Sequence, residues 1–202
     1  SRGLGDVYKR QVLMQLVNLM KDGEPVRMSK RTGNAVTLVD LLDEVPIDAA
    51  RFFFNMREPG STIDFDLGLA VKEDSQNPVY YCQYANARIC SILRKMKEEG
   101  IELRDCTEEE LMLLNAPEER ELIRHLSALT DEIITAAKDY DPARITRYAV
   151  TLATLFHKFY NACRVGVDDE KLRAARLYLC CRVKDVMGII LTEFKITVPE
   201  SM

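Results

Sequence analysis

The sequence has no tryptophan, no apolar run approaching the length of a membrane span, and no Cys-x-x-Cys pair. A spanning helix needs roughly 20 consecutive apolar residues, so a transmembrane helix is excluded. Residues 1–20 lack a sustained apolar centre and a small-residue cleavage site, which argues against export and for a cytoplasmic protein. Six cysteines stand at 82, 90, 106, 163, 180 and 181, and only His125 and His157 could join them as metal ligands. That spacing gives neither a zinc site nor a disulfide framework, so the thiols read as reduced and mostly buried, with no metal expected. Also missing are an internal repeat, a low-complexity tract, an acid/base pair and a nucleophilic triad. His125 falls in a helical stretch beside acidic neighbours and His157 follows Phe156, and both read as structural or interfacial rather than catalytic.

What is present suffices for a globular fold. The 202 residues are 47% hydrophobic, enough for one large or two small domains with a buried core. The net charge of −4 argues weakly against nucleic acid, but the charges are segregated. Residues 98–139 carry thirteen Asp/Glu against four Lys/Arg, whereas residues 141–184 carry nine Lys/Arg against four Asp/Glu. A positive segment in an acidic chain is what a local phosphate-binding face requires. Charge alone leaves a solvated amphipathic surface equally open.

One loop draws the chemistry to itself: Gly23-Glu24-Pro25-Val26-Arg27-Met28-Ser29-Lys30-Arg31-Thr32-Gly33-Asn34. Cationic side chains flank Met-Ser, and Gly33 and Asn34 tolerate backbone angles that most residues resist, so a basic loop able to close on polyphosphate is expected. Negative charge grows on pyrophosphate as it leaves in nucleotidyl transfer, and a lysine held there lowers the barrier. Lys30 is the candidate. A bare Ser-Lys-Arg fits a solvated turn better, so the weight comes from its context.

Around that loop the pattern predicts a short strand within residues 11–20, a turn at Lys21-Asp22-Gly23, and a second strand leading into the loop. Thr37 and Asp40 form a capping box for a helix that Pro46 stops, and Asp48 is expected to cap a second, well-buried helix ending at Glu58-Pro59-Gly60. After Asp64 the periodicity becomes helical. Asn77-Pro78 starts a helix with Tyr81, Ala85, Ile89, Ile92, Leu93 and Met96 in register, stopped by Gly100. Thr107 and Glu110 box a short helix through Leu114. Pro117 leads one continuous helix with Leu122, Leu126, Leu129, Ile133 and Ala137 on a face. Asp141-Pro142 and Asp168-Asp169 start two more, with stripes from Ile145 to Phe159 and from Leu172 to Val186. Successive amphipathic helices with short links imply an antiparallel bundle.

Arg27-Met-Ser-Lys-Arg31 is a near match to the Lys-Met-Ser-Lys-Ser signature of class I aminoacyl-tRNA synthetases. Together with Met28-Ser-Lys-Arg-Thr-Gly-Asn34, Leu41-Leu-Asp-Glu-Val45, Asp48-Ala-Ala-Arg-Phe52, Asp64-Phe-Asp-Leu67 and Asn77-Pro-Val-Tyr-Tyr-Cys-Gln-Tyr-Ala-Asn-Ala-Arg88, it makes residues 11–202 resemble the carboxy-terminal part of bacterial arginyl-tRNA synthetases. The implied architecture is mainly α: residues 11–75 as the end of a class I Rossmann-like catalytic domain, and 76–202 as a helical anticodon-binding domain. Residues 1–10 match nothing in that family and read as foreign to the fold.

The resemblance implies that Lys30, with Met28, Ser29 and Arg31 shaping the loop, stabilises the phosphates of ATP, with magnesium, as arginine is activated before transfer to tRNA(Arg). Arg27 stands where the family usually has Lys, keeping charge but changing its geometry. Tyr81, Tyr84 and Arg88 fall at i, i+3 and i+7 and share one helix face. By spacing alone two such tyrosines fit core packing better than a base platform. The resemblance reverses this, because the family's counterparts of Tyr81, Tyr84, Arg88, Tyr160 and the terminal Met202 line the anticodon-loop site, where rings and a guanidinium receive unstacked bases. Asn86 stands where the family usually has His. The implied protein is a monomer that binds no DNA and no membrane, and the isolated chain is expected to be inactive, with residues 11–66 exposing faces meant for a missing half. Two other readings remain: a fragment of another class I synthetase such as the cysteinyl one, and a non-catalytic tRNA-binding or protein-interaction module.

Overall fold

In the computed structural model, which describes residues 11–21, 23–26 and 36–202, a small sheet abuts a helical bundle and shares its core. Strand β1 (Val17–Lys21) pairs antiparallel with β2 (Glu24–Pro25) and parallel with β3 (Ile63–Asp66), in the order β2-β1-β3. Gly23 adopts φ 81° in the tight β1–β2 connection, a region that costs glycine little. Met28, Ser29, Lys30 and Arg31, Arg27, Asp22 of the turn, and residues 1–10 all lie outside the described residues.

Strand β3 corrects the expectation that helix begins after Asp64. Ile63 and Phe65 are buried while Asp64 turns outward to accept from Asn18 Nδ2 at 2.9 Å, the alternation of a half-buried strand. Helix α1 (Leu38–Glu44) carries the Thr37/Asp40 capping box as expected. Helix α2 (Ile47–Phe54) does not start on Asp48 and ends earlier than expected. Pro46 is its N-cap, in extended conformation, and the Asp48 carboxylate is drawn away to distant partners. Helix α2 buries Ala49, Ala50, Phe52 and Phe53, and Phe53 and Phe54 each tilt against Phe65 at 5.3 Å between centroids. A short helix α3 (Leu67–Ala70) follows, capped by Asp66.

The bundle begins with α4 (Pro78–Glu98), where Asn77 caps the first turn and Gly100, at φ 77°, ends it. Helix α5 (Glu108–Leu111) is shorter than its expected reach to Leu114. The predicted continuous helix from Pro117 is instead two, α6 (Pro117–Ser127) and α7 (Leu129–Asp139). The cause is tertiary. The Tyr148 hydroxyl donates to the His125 carbonyl at 2.8 Å, and the Ala128 N–H closes on the same carbonyl, so the ladder turns there. His125 also stacks on Tyr148, with centroids 4.1 Å apart. Helices α8 (Ala143–Ala162) and α9 (Glu170–Glu193) complete the bundle, the latter capped by Asp169. Phe156, Phe159, Leu152, Val183, Met187 and Leu191 are among its fully buried side chains.

At α5, Arg104 makes a two-pronged contact with Glu110 at 2.8 and 2.6 Å, while Glu110 also accepts from the Thr107 N–H. The guanidinium, then the backbone bond, holds the Glu110 carboxyl down to about 2. A folded pKa below the unfolded one gives stability that is complete above about pH 4.5 and lost as pH falls toward about 2. Acid titration followed by amide exchange should therefore release α5 across that window in wild type. In Glu110→Gln the release across that window should disappear, and an unchanged acid transition would remove Glu110 as its source.

No helix among the described residues is long and apolar enough to cross a membrane, and no group of three His, Cys, Asp or Glu side chains there converges to hold a metal ion. All six thiols are free, four of them buried; burial raises the pKa of Cys82 and Cys180, keeping them protonated. Leu13, Met14 and Leu16 before β1, and Leu38 and Val39 of α1, are exposed.

Candidate nucleic-acid interface

Helices α4 and α8 bring four aromatic rings and one cation together. Tyr81 and Tyr84 project from one face of α4, and His157 and Tyr160 from α8, where positions three apart are neighbours. The His157 ring lies 4.8 Å from Tyr81 and 5.7 Å from Tyr84, nearly parallel to the latter at 26°. Tyr80 continues the series, its ring 6.4 Å from Tyr84 and 6° from parallel. Arg88, one turn beyond Tyr84, sits between rings: its guanidinium carbon is 5.1 Å from the Tyr84 centroid and 5.2 Å from that of Tyr160. It also donates to the Tyr84 hydroxyl. That bond, opposed by burial, leaves the Arg88 pKa above its ordinary value, so the cation is permanent.

These side chains are half-buried and border a cavity of about 490 Å³, with Asp74 and Ser75 at its edge. Tyr84 and Arg88 also border a second hollow of about 250 Å³, which Ser91, Arg94, Glu200 and Met202 complete. Tyr84 and Arg88 thus form the ridge between two concavities, and the exposed Met202 side chain belongs to the second. Of the residues singled out from sequence, Tyr81, Tyr84, Arg88 and Tyr160 meet at the first cavity and Met202 joins at the other.

His157 and Tyr80 were missed. Burial, and next the Arg88 charge, lower the His157 pKa, so the ring is a neutral stacking surface at physiological pH. Its signal in the sequence was the three-residue spacing to Tyr160, which puts both on one helix face. Asn86, standing at a position of the same helix, is fully buried and donates through Nδ2 to the Pro199 carbonyl at 2.7 Å. It holds protein backbone rather than facing the cavity.

The arrangement can receive flat, electron-rich rings beside a fixed cation. Aromatic faces accept any base, and the guanidinium reinforces stacking and meets a phosphate or base edge.

The family model of the DALR anticodon binding domain matches residues 82–202. The chain belongs to this family. The match to the DALR anticodon binding domain takes in Tyr84, Arg88, Tyr160 and Met202 and begins one residue after Tyr81. Over 191 residues the chain is 51% identical to the arginine–tRNA ligase of Caldanaerobacter subterraneus subsp. tengcongensis, and over 192 residues 53% identical to that of Desulfitobacterium hafniense. Each alignment covers 95% of this chain and 34% of the relative, so the chain spans about a third of the length of those curated relatives. Among solved structures, a Campylobacter jejuni chain assigned as an arginyl-tRNA synthetase superposes with TM-score 0.80 at 32% identity, covering 94% of this chain and 40% of that one. The Thermus thermophilus arginyl-tRNA synthetase gives 0.76 at 25% identity, covering 94% and 35%. The mainly helical architecture is that of the matched parts of these structures.

Proposed function

We propose that this chain is the carboxy-terminal part of an arginine–tRNA ligase, and that its α4/α8 aromatic face binds the anticodon loop of tRNA(Arg). The observation that carries the reading is the sandwich of Arg88 between Tyr84 and Tyr160 at the mouth of an open cavity. A core explanation of the two tyrosines leaves unexplained why they border open space with a cation between them. Identity near 50% to arginine–tRNA ligases, and the anticodon-binding family match, support the same conclusion.

In this reading residues 76–202 bind the anticodon loop and residues 11–75 end a catalytic domain, in which the loop carrying Met28, Ser29, Lys30 and Arg31 meets the phosphates of ATP with its magnesium. The groups that hold adenine, ribose and arginine come from the rest of such a ligase, and the chain by itself does not activate arginine. The protein works in the cytoplasm as a monomer.

Tyr84→Ala should weaken binding of arginine tRNA by about 1–3 kcal/mol, the worth of one base stacked on a ring. Tyr84→Phe should cost less, because it keeps the π-face and loses only the hydroxyl that Arg88 contacts. Filter binding or fluorescence titration against tRNA(Arg) and a non-cognate tRNA, alongside thermal melts, separates the roles. If both variants bind as wild type while Tyr84→Ala melts earlier, Tyr84 is a packing residue and the platform lies elsewhere.

A further inference from the structure

Residues 195–202 are held in part by α2, an element that lines neither concavity. After α9, Lys195 enters the left-handed region at φ 57° and the Ile196 N–H closes back on the Leu191 carbonyl at 2.9 Å, so the tail turns sharply toward α2 and α4. Ile196 is buried beneath it. From α2, the Asp48 Oδ2 atom accepts from the Thr197 N–H at 3.1 Å and from the Thr197 hydroxyl. Gln83 of α4 donates to the same carboxylate oxygen at 3.0 Å and to Thr197 Oγ and carbonyl at 3.1 Å. Arg51, one turn along α2, donates to the Lys195 carbonyl. Farther out, Asn86 holds the Pro199 carbonyl, and Met202 comes to rest in the hollow beside Tyr84 and Arg88.

We propose that Asp48 is a positioning residue for RNA binding: it ties Thr197 to Gln83, fixes residues 195–202 along α4, and thereby sets Met202 at the base-binding ridge. The proposal rests on the reading of that ridge as an anticodon-loop site. Residues 197–202 have no secondary structure of their own, so their order must come from such anchors. Each residue left free would have to be ordered when RNA binds, at a cost in backbone entropy before any contact is gained. A carboxylate that gathers three donors at the tail's root removes that cost in advance, and ionised acceptors make the stronger bonds. Asp48 thus acts on the ligand through the tail, without touching it.

The test uses the whole chain, an RNA stem–loop carrying an arginine anticodon, and the same stem–loop with its anticodon altered. Asp48→Ala should weaken the arginine stem–loop about tenfold, the scale of one lost charge-assisted bond, and Thr197→Val, an exposed change that spares the fold, should do the same in smaller measure. In a chain lacking residues 200–202, neither substitution should weaken binding further, because their effect passes through the tail. Carboxypeptidase should release Met202 faster from Asp48→Ala and Thr197→Val than from wild type, read by mass spectrometry without RNA. Multiplicative losses in the shortened chain, or unchanged release of Met202, overturn the proposal. A wild-type chain that does not prefer the arginine anticodon while Asp48→Ala still frees the tail would sink the anticodon reading and leave Asp48 as the tail's anchor only, which also overturns its role in RNA binding.

Discussion

Glu119→Ala is expected to cost about 3–5 kcal/mol of folding stability, the range for breaking a buried ion pair by removing one partner. Glu119 sits in the first turn of α6 with 1% of its side chain exposed and accepts from Arg176 Nε of α9 at 2.7 Å. Its other oxygen accepts the Ala116 N–H at 2.8 Å, closing an otherwise orphaned donor at the helix start. Arg176 also donates to the Arg164 carbonyl at 2.8 Å, so one pair ties α6, α9 and the segment that follows α8. Removing the carboxylate leaves a guanidinium that is only 13% exposed with a single neutral acceptor, and an amide with none. Glu119→Gln keeps an acceptor and should cost markedly less. Urea unfolding followed by circular dichroism measures the shift in midpoint at constant slope. A loss below about 1 kcal/mol for Glu119→Ala would mean that the pair behaves like a solvated surface bridge.

The same pair marks where sequence reasoning reaches its limit. A glutamate two positions after Pro117 reads as an ordinary acidic first turn, and nothing nearby says that its partner is 57 residues away. Local signals were legible. Thr37 with Asp40, Thr107 with Glu110, Asn77 before Pro78, and Asp169 each place a side-chain acceptor against a free N–H of their own first turn, so the chain around them suffices to read them. Non-local partners were not. The β3 strand depends on β1, which it meets through Val17 and Ile63, and Asp48 resembles a helix cap until Thr197 folds back onto it. The division of the predicted helix at Ala128 is likewise imposed by Tyr148, on another helix.

The candidate site divides along the same line. Periodicity puts Tyr81, Tyr84 and Arg88 on one face of α4, and the structure has that face. That Tyr160 would come opposite them could not be read from spacing, because it depends on how α8 crosses α4; it entered through family resemblance. Sequence alone makes His157 a structural or interfacial residue beside Phe156. Its ring lies between the tyrosines because the α8 face that carries Tyr160 carries it as well. Asn86 shows the converse: a polar residue within the same motif is spent on the tail's backbone, a partner 113 residues away.

On the reading proposed above, Lys30→Ala in the full-length protein is expected to lower kcat for arginine activation, with a smaller change in affinity for tRNA. Lys30 lies outside the described residues, so its case rests on the resemblance of Arg27-Met-Ser-Lys-Arg31 to the class I synthetase signature. A cation at the pyrophosphate is used chiefly as the bond to the leaving group lengthens and charge accumulates, so its loss falls on the transition state more than on bound ATP. A loss of about tenfold to a thousandfold would fit one missing electrostatic contact. The neighbouring Arg27 and Arg31 keep the loop cationic in the variant, which limits any change in long-range attraction of tRNA. Lys30→Arg should restore only part of the rate, since a planar guanidinium does not reproduce the compact ammonium charge. Pyrophosphate exchange into ATP measures activation, and filter binding measures tRNA affinity on the same preparations. Equal losses in both would move Lys30 from catalysis to general phosphate attraction, and unchanged exchange would remove it from the reaction.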